Sequence, residues 1–137
     1  MEVLKTVMKN DGKAKKVLFV DDDEIHLTIV SEMLEQEYEV FTAKSGQEAL
    51  SLILKGLEPD IILLDILMPK MDGWEVFYKL RTMSLLDNIP IAFFTSLEGS
   101  EEEERARIMG VDDYIKKPCE RRDLIQKIEG VLSTGKK

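Results

Sequence analysis

Short apolar runs that end abruptly in polar residues place the strongest constraint on how this chain can fold. Residues 17–20 run directly into three aspartates, residues 61–64 end at Asp65, and residues 89–94 end at Thr95. Runs of this length without alternating polar positions are typical of parallel strands, which are covered on both faces. Two weaker strands are predicted over residues 38–43 and 113–116.

The segments between these strands carry apolar residues at helical spacing, as in residues 24–36. Ser45 and Ser100 are each followed three residues later by a glutamate, a capping box that predicts a helix start, and Gly110 predicts a helix end. Five strands alternating with five helices indicate βαβ units. The sequence therefore predicts a single α/β domain, a doubly wound five-stranded parallel sheet with helices on both faces.

The domain is predicted to cover residues 16–132, between a polar extension (1–15) and a short tail (133–137) of the 137-residue chain. No apolar run approaches the ~20 residues that cross a bilayer, and no secretory signal is present, so membrane association is not expected. The single cysteine, Cys119, fits a reducing compartment, and we expect a cytoplasmic protein. A net charge of −8 argues against direct nucleic-acid binding by this domain.

Polar side chains collect where the predicted strands end. Ligands of open parallel sheets bind at the carboxyl ends of the strands, where the sequence places Asp21, Asp22, Asp65, Thr95 and Lys117. Carboxylates packed this closely need a compensating cation, and an all-oxygen donor set favours Mg²⁺. A carboxylate beside Mg²⁺ can attack a phosphoryl donor and form an aspartyl phosphate.

Four segments resemble the response-regulator receiver family of two-component signalling systems, in order and at the expected spacing. They are VDDD at 20–23, PDIILLDILMPKMDG at 59–73, the segment 89–96 with its Thr-Ser end, and YIKKP at 114–118. The resemblance covers about residues 16–132 and implies a flavodoxin-like fold. It implies a domain that catalyses its own phosphorylation and dephosphorylation, and so is an enzyme only in that limited sense.

The resemblance also implies roles for individual residues of the metal and phosphoryl site. Asp65 matches the phosphoacceptor and a metal ligand, and Asp22 matches the direct ligand of Mg²⁺. Asp21 matches the acid that holds the ion through water, and Leu67 the residue that offers a backbone carbonyl to it.

A second group matches the family's switch and partner-binding positions. Lys117 matches the phosphate-pairing lysine, and Thr95 and Tyr114 match the switch hydroxyl and the switch aromatic. Pro118 matches a proline that follows a cis peptide bond.

The partner implied by the resemblance is a histidine kinase or a histidine phosphotransfer protein. Its expected contact surface includes Ile25, His26, Ile29 and Pro118. His26 is placed on the first helix rather than at the strand ends, which makes a phosphohistidine role for it the weaker interpretation.

Two alternatives remain open from the sequence. A phosphohydrolase of the haloacid-dehalogenase type would use Asp21 as its nucleophile, but the chain lacks room for a substrate-selecting cap and the segment around Asp65 would stay unexplained. A degenerate receiver that only binds proteins would have lost Asp65, Asp22 or Lys117, and all three are present.

Overall fold

A computed structural model of the chain describes residues 14–83 and 88–134. Within these residues the chain alternates strictly between five strands and five helices. In chain order they are β1 Lys15–Val20, α1 Glu24–Leu34, β2 Tyr38–Ala43, α2 Gly46–Leu54, β3 Ile61–Leu64, α3 Gly73–Thr82, β4 Ile91–Thr95, α4 Ser100–Met109, β5 Asp113–Lys116 and α5 Arg121–Thr134. No helix in the described part of the chain is long and apolar enough to cross a membrane.

The five strands form one parallel sheet in the order β2-β1-β3-β4-β5. The strand order reverses after β1, and β3 lies in the centre with all four of its residues buried. A doubly wound sheet of this kind opens a crevice at the carboxyl ends of its central strands. The predicted fold class is confirmed.

Two hydrophobic layers cover the sheet because alternate residues of each strand face opposite sides. Leu18, Ile62 and Phe93 pack on one side with α2, α3 and Ala106 of α4. Phe19 and the neighbouring inward residues of β3 and β4 pack on the other side with α1 and α5. Fully burying an aromatic or aliphatic side chain contributes about 1.5–3 kcal/mol each, so these layers hold the strand ends in a fixed register.

The cap predicted at Ser45 forms, and an aspartate caps α1. Asp23 caps α1 by accepting from the backbone N–H groups of Ile25 and His26, and the Ser45 hydroxyl accepts from the Glu48 N–H at 3.1 Å. The predicted capping box at Ser100 is wrong, because Ser100 already lies in the first turn of α4. The N-cap of α4 is Gly99. The φ angle of 128° at this position favours glycine, which has no side chain that could accept a capping hydrogen bond.

Element boundaries differ from the sequence-based ones where pairing or proline decides them. β1 begins at Lys15 because it pairs with Tyr38 of β2. β4 begins at Ile91, since Pro90 has no N–H to contribute to the sheet. The predicted domain limits at 16 and 132 stay predictions. Residues 1–13 and 135–137 of the two predicted tails lie outside the described residues.

Candidate functional site

Backbone hydrogen bonds tie together the ends of the central strands. The Asp65 N–H donates to the Val20 carbonyl at 3.0 Å, and the Lys117 N–H donates to the Thr95 carbonyl at 3.0 Å. The Asp21 N–H likewise donates to the carbonyl at the end of β2, at 3.0 Å. The residues that directly follow these strands are therefore held beside one another by the sheet itself.

Three carboxylates converge at this edge. Oxygens of Asp21, Asp22 and Asp65 all lie within 4.8 Å of one another, the spacing of ligands around a single cation. Asp21 and Asp65 are buried, at 0% and 4% exposure, whereas Asp22 is exposed to solvent. The site is therefore acidic, mostly dry and open on the side of Asp22.

One ammonium group lies between the two buried carboxylates. Lys117 Nζ is 2.6 Å from Asp21 Oδ2 and 3.3 Å from Asp65 Oδ2. One cation shared by two buried anions leaves net negative charge in a low-dielectric region, which favours binding of a further cation. The peptide bond between Lys117 and Pro118 is cis, as the family resemblance implies.

The two buried carboxylates differ in how easily they ionise. For Asp21, burial is the largest influence and opposes ionisation. Hydrogen bonds from His26, Lys117 and the Asp23 backbone together outweigh it and hold the Asp21 pKa below its ordinary value. For Asp65, burial raises the pKa, and the charge of Lys117 offsets only part of that effect. Asp65 is therefore the carboxylate that gains most from a bound cation.

The chain after Asp65 folds back tightly against it. The Leu67 N–H donates to Asp65 Oδ1 at 3.3 Å, and the Leu67 side chain is 51% exposed. The Gly73 N–H donates to the Ile66 carbonyl at 2.9 Å. A Cβ atom on Gly73 would lie only 2.4 Å from the Asp65 carbonyl oxygen, so no other residue fits without moving the Asp65 backbone. Gly73 was not among the predicted site residues, although its place beside Asp72 in the matching segment was a signal.

The predicted switch residues meet on the far side of the site. The Thr95 hydroxyl, which is fully buried, accepts from the Leu97 N–H at 3.2 Å, and the Tyr114 hydroxyl donates to the Leu97 carbonyl at 2.7 Å. Burial, followed by the charges of Glu102 and Glu103, raises the pKa of Tyr114 to about 12. The hydroxyl therefore keeps its proton and donates to the chain that follows β4.

A row of aromatic rings runs from Tyr114 into the core and reaches α4. Phe93 packs edge-on against Tyr114 at 6.3 Å and against Trp74 at 4.8 Å. The Trp74 indole N–H donates to Glu102 at 3.3 Å, and the Arg105 guanidinium lies 4.0 Å above the ring centroid. Trp74 of α3 thus holds α4 through two charged side chains, a contact that no sequence pattern indicates.

His26 is the clearest correction to the sequence-based picture of the site. It was placed away from the strand ends, yet its Nδ1 lies 2.7 Å from Asp21 Oδ2. The reason is that α1 begins immediately after the aspartates, so its first turn still borders the site. Ile25 and Ile29 do not join it. They are 72% and 46% exposed on the same helix, and Pro118 is also exposed.

The donors present fit Mg²⁺. All are oxygen atoms, two of the carboxylates are buried and one faces solvent, where an ion could keep several of its waters. Asp22 and Asp65 could coordinate directly, and the backbone carbonyl of Leu67 lies in the loop that follows Asp65. Every side-chain nitrogen and oxygen that is buried in the described residues has a hydrogen-bond partner, so the cluster is ordered without further groups.

Comparison with known proteins agrees with this geometry. The family model described as "Response regulator receiver domain" matches residues 17–129. The alkaline phosphatase synthesis transcriptional regulatory protein PhoP of Bacillus subtilis is 36% identical over 119 residues, which are 86% of this chain and 48% of the relative. Response regulator SaeR of Staphylococcus aureus is 34% identical over 122 residues, 88% of this chain and 52% of the relative. The chain thus spans about half the length of these curated relatives.

Solved structures match over nearly their whole length. The chemotaxis protein CheY4 of Vibrio cholerae superposes with a TM-score of 0.81 at 32% identity, covering 86% of this chain and 98% of that one. A putative response regulator from Chloroflexus aurantiacus gives a TM-score of 0.81 at 32% identity, covering 88% and 99%. Fold, strand-end residues and family match all agree, and the chain belongs to the response-regulator receiver domain family.

Proposed function

We propose that this domain accepts a phosphoryl group on Asp65 from a phosphohistidine of a histidine kinase or histidine phosphotransfer protein. The observation that carries the proposal is the placement of Lys117 Nζ between two buried carboxylates, 2.6 Å from Asp21 and 3.3 Å from Asp65. An ammonium held there can neutralise charge on a phosphoryl group that arrives at Asp65.

In the proposed transfer, a carboxylate oxygen of Asp65 attacks the phosphorus atom. A P–O bond forms while the P–N bond to the partner's imidazole breaks, and the imidazole leaves as a neutral ring that keeps the proton already on its other nitrogen. Bound Mg²⁺ would supply charge neutralisation for the phosphoryl oxygens. Asp22, Asp65 and the Leu67 carbonyl would hold it directly, and Asp21 through water. Lys117 would move toward the phosphoryl oxygens.

Thr95 and Tyr114 would couple the presence of the phosphoryl group to the conformation of the rest of the domain. A hydrogen bond donated by the Thr95 hydroxyl to a phosphoryl oxygen would move that hydroxyl, which now accepts from the Leu97 N–H. Any shift of Leu97 would also move the hydrogen-bond acceptor of Tyr114, whose hydroxyl donates to the Leu97 carbonyl. The output would be an altered contact with another protein, because a domain of net charge −8 is poorly suited to bind nucleic acid itself.

The partner would dock on the α1 side of the site. Ile25 and Ile29 form an exposed apolar surface there, and Pro118 is exposed on the loop that carries Lys117. His26 would border that surface. A cytoplasmic setting suits such an exchange between soluble partners.

Locating the phosphoryl group tests the proposal. A small phosphodonor with Mg²⁺, followed by borohydride reduction and mass spectrometry, should label Asp65 as the main product, and Asp65→Asn should abolish that label. A label on Asp21 would favour the phosphohydrolase alternative, and one on His26 would favour histidine relay chemistry. Asp21 is the poorer nucleophile on geometric grounds, since it accepts hydrogen bonds of 2.9, 2.7 and 2.6 Å, whereas those from Leu67 and Lys117 to Asp65 are both 3.3 Å long.

A further inference from the structure

We propose that His26 is a positioning residue for Asp21, keeping that carboxylate in its metal-binding orientation both at rest and when Lys117 moves to the phosphoryl group. The inference rests on the proposed function of Asp65. It gives the imidazole a part in the site itself rather than only in the surface that meets a partner.

The first support is how completely Asp21 is held. Its Oδ1 accepts from the Asp23 N–H at 2.9 Å, and its Oδ2 accepts from His26 Nδ1 at 2.7 Å and from Lys117 Nζ at 2.6 Å. The Asp21 side chain is 0% exposed, so water cannot replace a donor that leaves. Two of the three donors belong to the start of α1 and are fixed by the helix, whereas Lys117 is carried on a flexible side chain.

The second support is that the imidazole is itself held rigidly. The His26 ring packs against Phe19 at 5.5 Å and against Phe94 at 5.4 Å, and only 20% of the side chain is exposed. The His26 N–H also donates to Asp23 Oδ1 at 3.3 Å. A donor fixed in this way loses little conformational entropy when it holds Asp21.

The need for such a donor follows from the position of Lys117. Its ammonium group lies 2.6 Å from Asp21 and 3.3 Å from Asp65, so a phosphoryl group on Asp65 would draw it away from Asp21. A buried carboxylate that loses a charged donor loses much of its stabilisation and tends to rotate. His26 is the side-chain donor that would remain on the same oxygen. Substituting a residue that hydrogen-bonds to a metal-binding carboxylate typically lowers metal affinity about 10–100-fold.

Two substitutions with the same number and branching of side-chain heavy atoms separate hydrogen bonding from packing. His26→Leu keeps apolar contact with Phe19 and Phe94 but has no donor, whereas His26→Asn places an amide N–H close to the position of Nδ1. The Mg²⁺ dissociation constant of the full chain is measured by titration calorimetry, together with thermal unfolding in the absence of Mg²⁺. We expect Mg²⁺ binding to weaken about tenfold in His26→Leu. His26→Asn should retain most of the wild-type affinity.

A Mg²⁺ affinity of His26→Leu equal to that of the wild type would overturn the inference. An equal loss of affinity in His26→Leu and His26→Asn would also overturn it, because the loss would then not come from the missing hydrogen-bond donor. If His26→Leu fails to fold, His26→Met supplies a second apolar side chain without a donor, and the same criteria apply to it. Asp22→Asn serves as the control for the proposed function. A wild type that does not bind Mg²⁺, or an Asp22→Asn variant that binds normally, would overturn both. Loss in Asp22→Asn with full binding in His26→Leu would overturn the role of His26 alone.

Discussion

Removing the charge of Asp65 should stabilise the metal-free protein at neutral pH. The Asp65 and Asp21 oxygens lie within 4.8 Å of each other, a separation at which two unit charges repel by at least about 3.5 kcal/mol at an effective dielectric constant of ~20. Lys117, 3.3 Å from Asp65, attracts it by about 5 kcal/mol on the same basis. These two terms largely cancel, so the cost of desolvating the Asp65 carboxylate decides the outcome. Taking an ion out of water costs several kcal/mol, and the neutral amide of Asp65→Asn avoids most of that cost while Lys117 stays paired with Asp21, so we expect a stabilisation of about 2 kcal/mol.

The pH dependence follows from the same cause. Burial raises the folded-state pKa of Asp65 above its ordinary value of 3.8, so the folded protein binds this proton more tightly than the unfolded chain does. The destabilisation is therefore absent below the unfolded pKa and fully present above the raised folded pKa. The advantage of Asp65→Asn should be largest above the folded-state pKa and should shrink as the pH falls through it.

Urea unfolding with a chelator present, at neutral and at acidic pH, measures this advantage. The variant does not leave Lys117 unpaired, because Asp21 remains 2.6 Å away. Asp60→Asn is the matched control. It is the same substitution at the opposite end of β3, where the carboxylate accepts a hydrogen bond from the Lys16 N–H at 2.7 Å, and it should give no stabilisation. If Asp65→Asn were no more stable than the wild type at neutral pH, the buried charge of Asp65 would not lower the free energy of unfolding as the geometry implies.

Three further predictions concern the phosphorylated state. Leu67→Asn combined with Leu97→Lys should speed loss of the phosphoryl group about 10-fold, or ~1.4 kcal/mol in the barrier, because both apolar side chains can occlude water. Phosphate release at constant Mg²⁺ measures this rate, and an unchanged rate would contradict the prediction. Thr95→Ala should still accept phosphate but lose most of the change in amide exchange over residues 95–116; a full response would contradict the switch role. Lys117→Ala should slow incorporation of label from a small phosphodonor, and incorporation at the wild-type rate would count against its proposed role.

The sequence predicts the sheet and the strand-end residues because both depend on strong, local features. Continuous apolar strands such as Ile61–Leu64 must be buried on both faces, and parallel pairing then brings their carboxyl ends to one edge. Asp65 and Lys117 could be placed together by this logic alone. The distances between side chains could not, because they depend on rotamers that neighbouring side chains select.

Features that depend on the path of the chain between elements were harder to predict. Ser45 and Ser100 have the same local pattern, but Gly99 with its positive φ takes the cap position before α4, and a sequence pattern does not report that backbone angle. His26 could have been placed correctly, since it lies only five residues after Asp21 and in the first turn of the helix that follows. Its orientation into the site is set by packing against Phe19 and Phe94, which the chain brings together only on folding.

The contact between α3 and α4 gives the protein an optical probe of its own. Trp74 is the single tryptophan of the chain, is 5% exposed, and has the charged groups of Glu102 and Arg105 of α4 directly against its indole ring. Displacing α4 would remove these charges and admit water, which shifts the colour and intensity of indole emission. The position of this helix could therefore be followed in real time by fluorescence of the unlabelled protein.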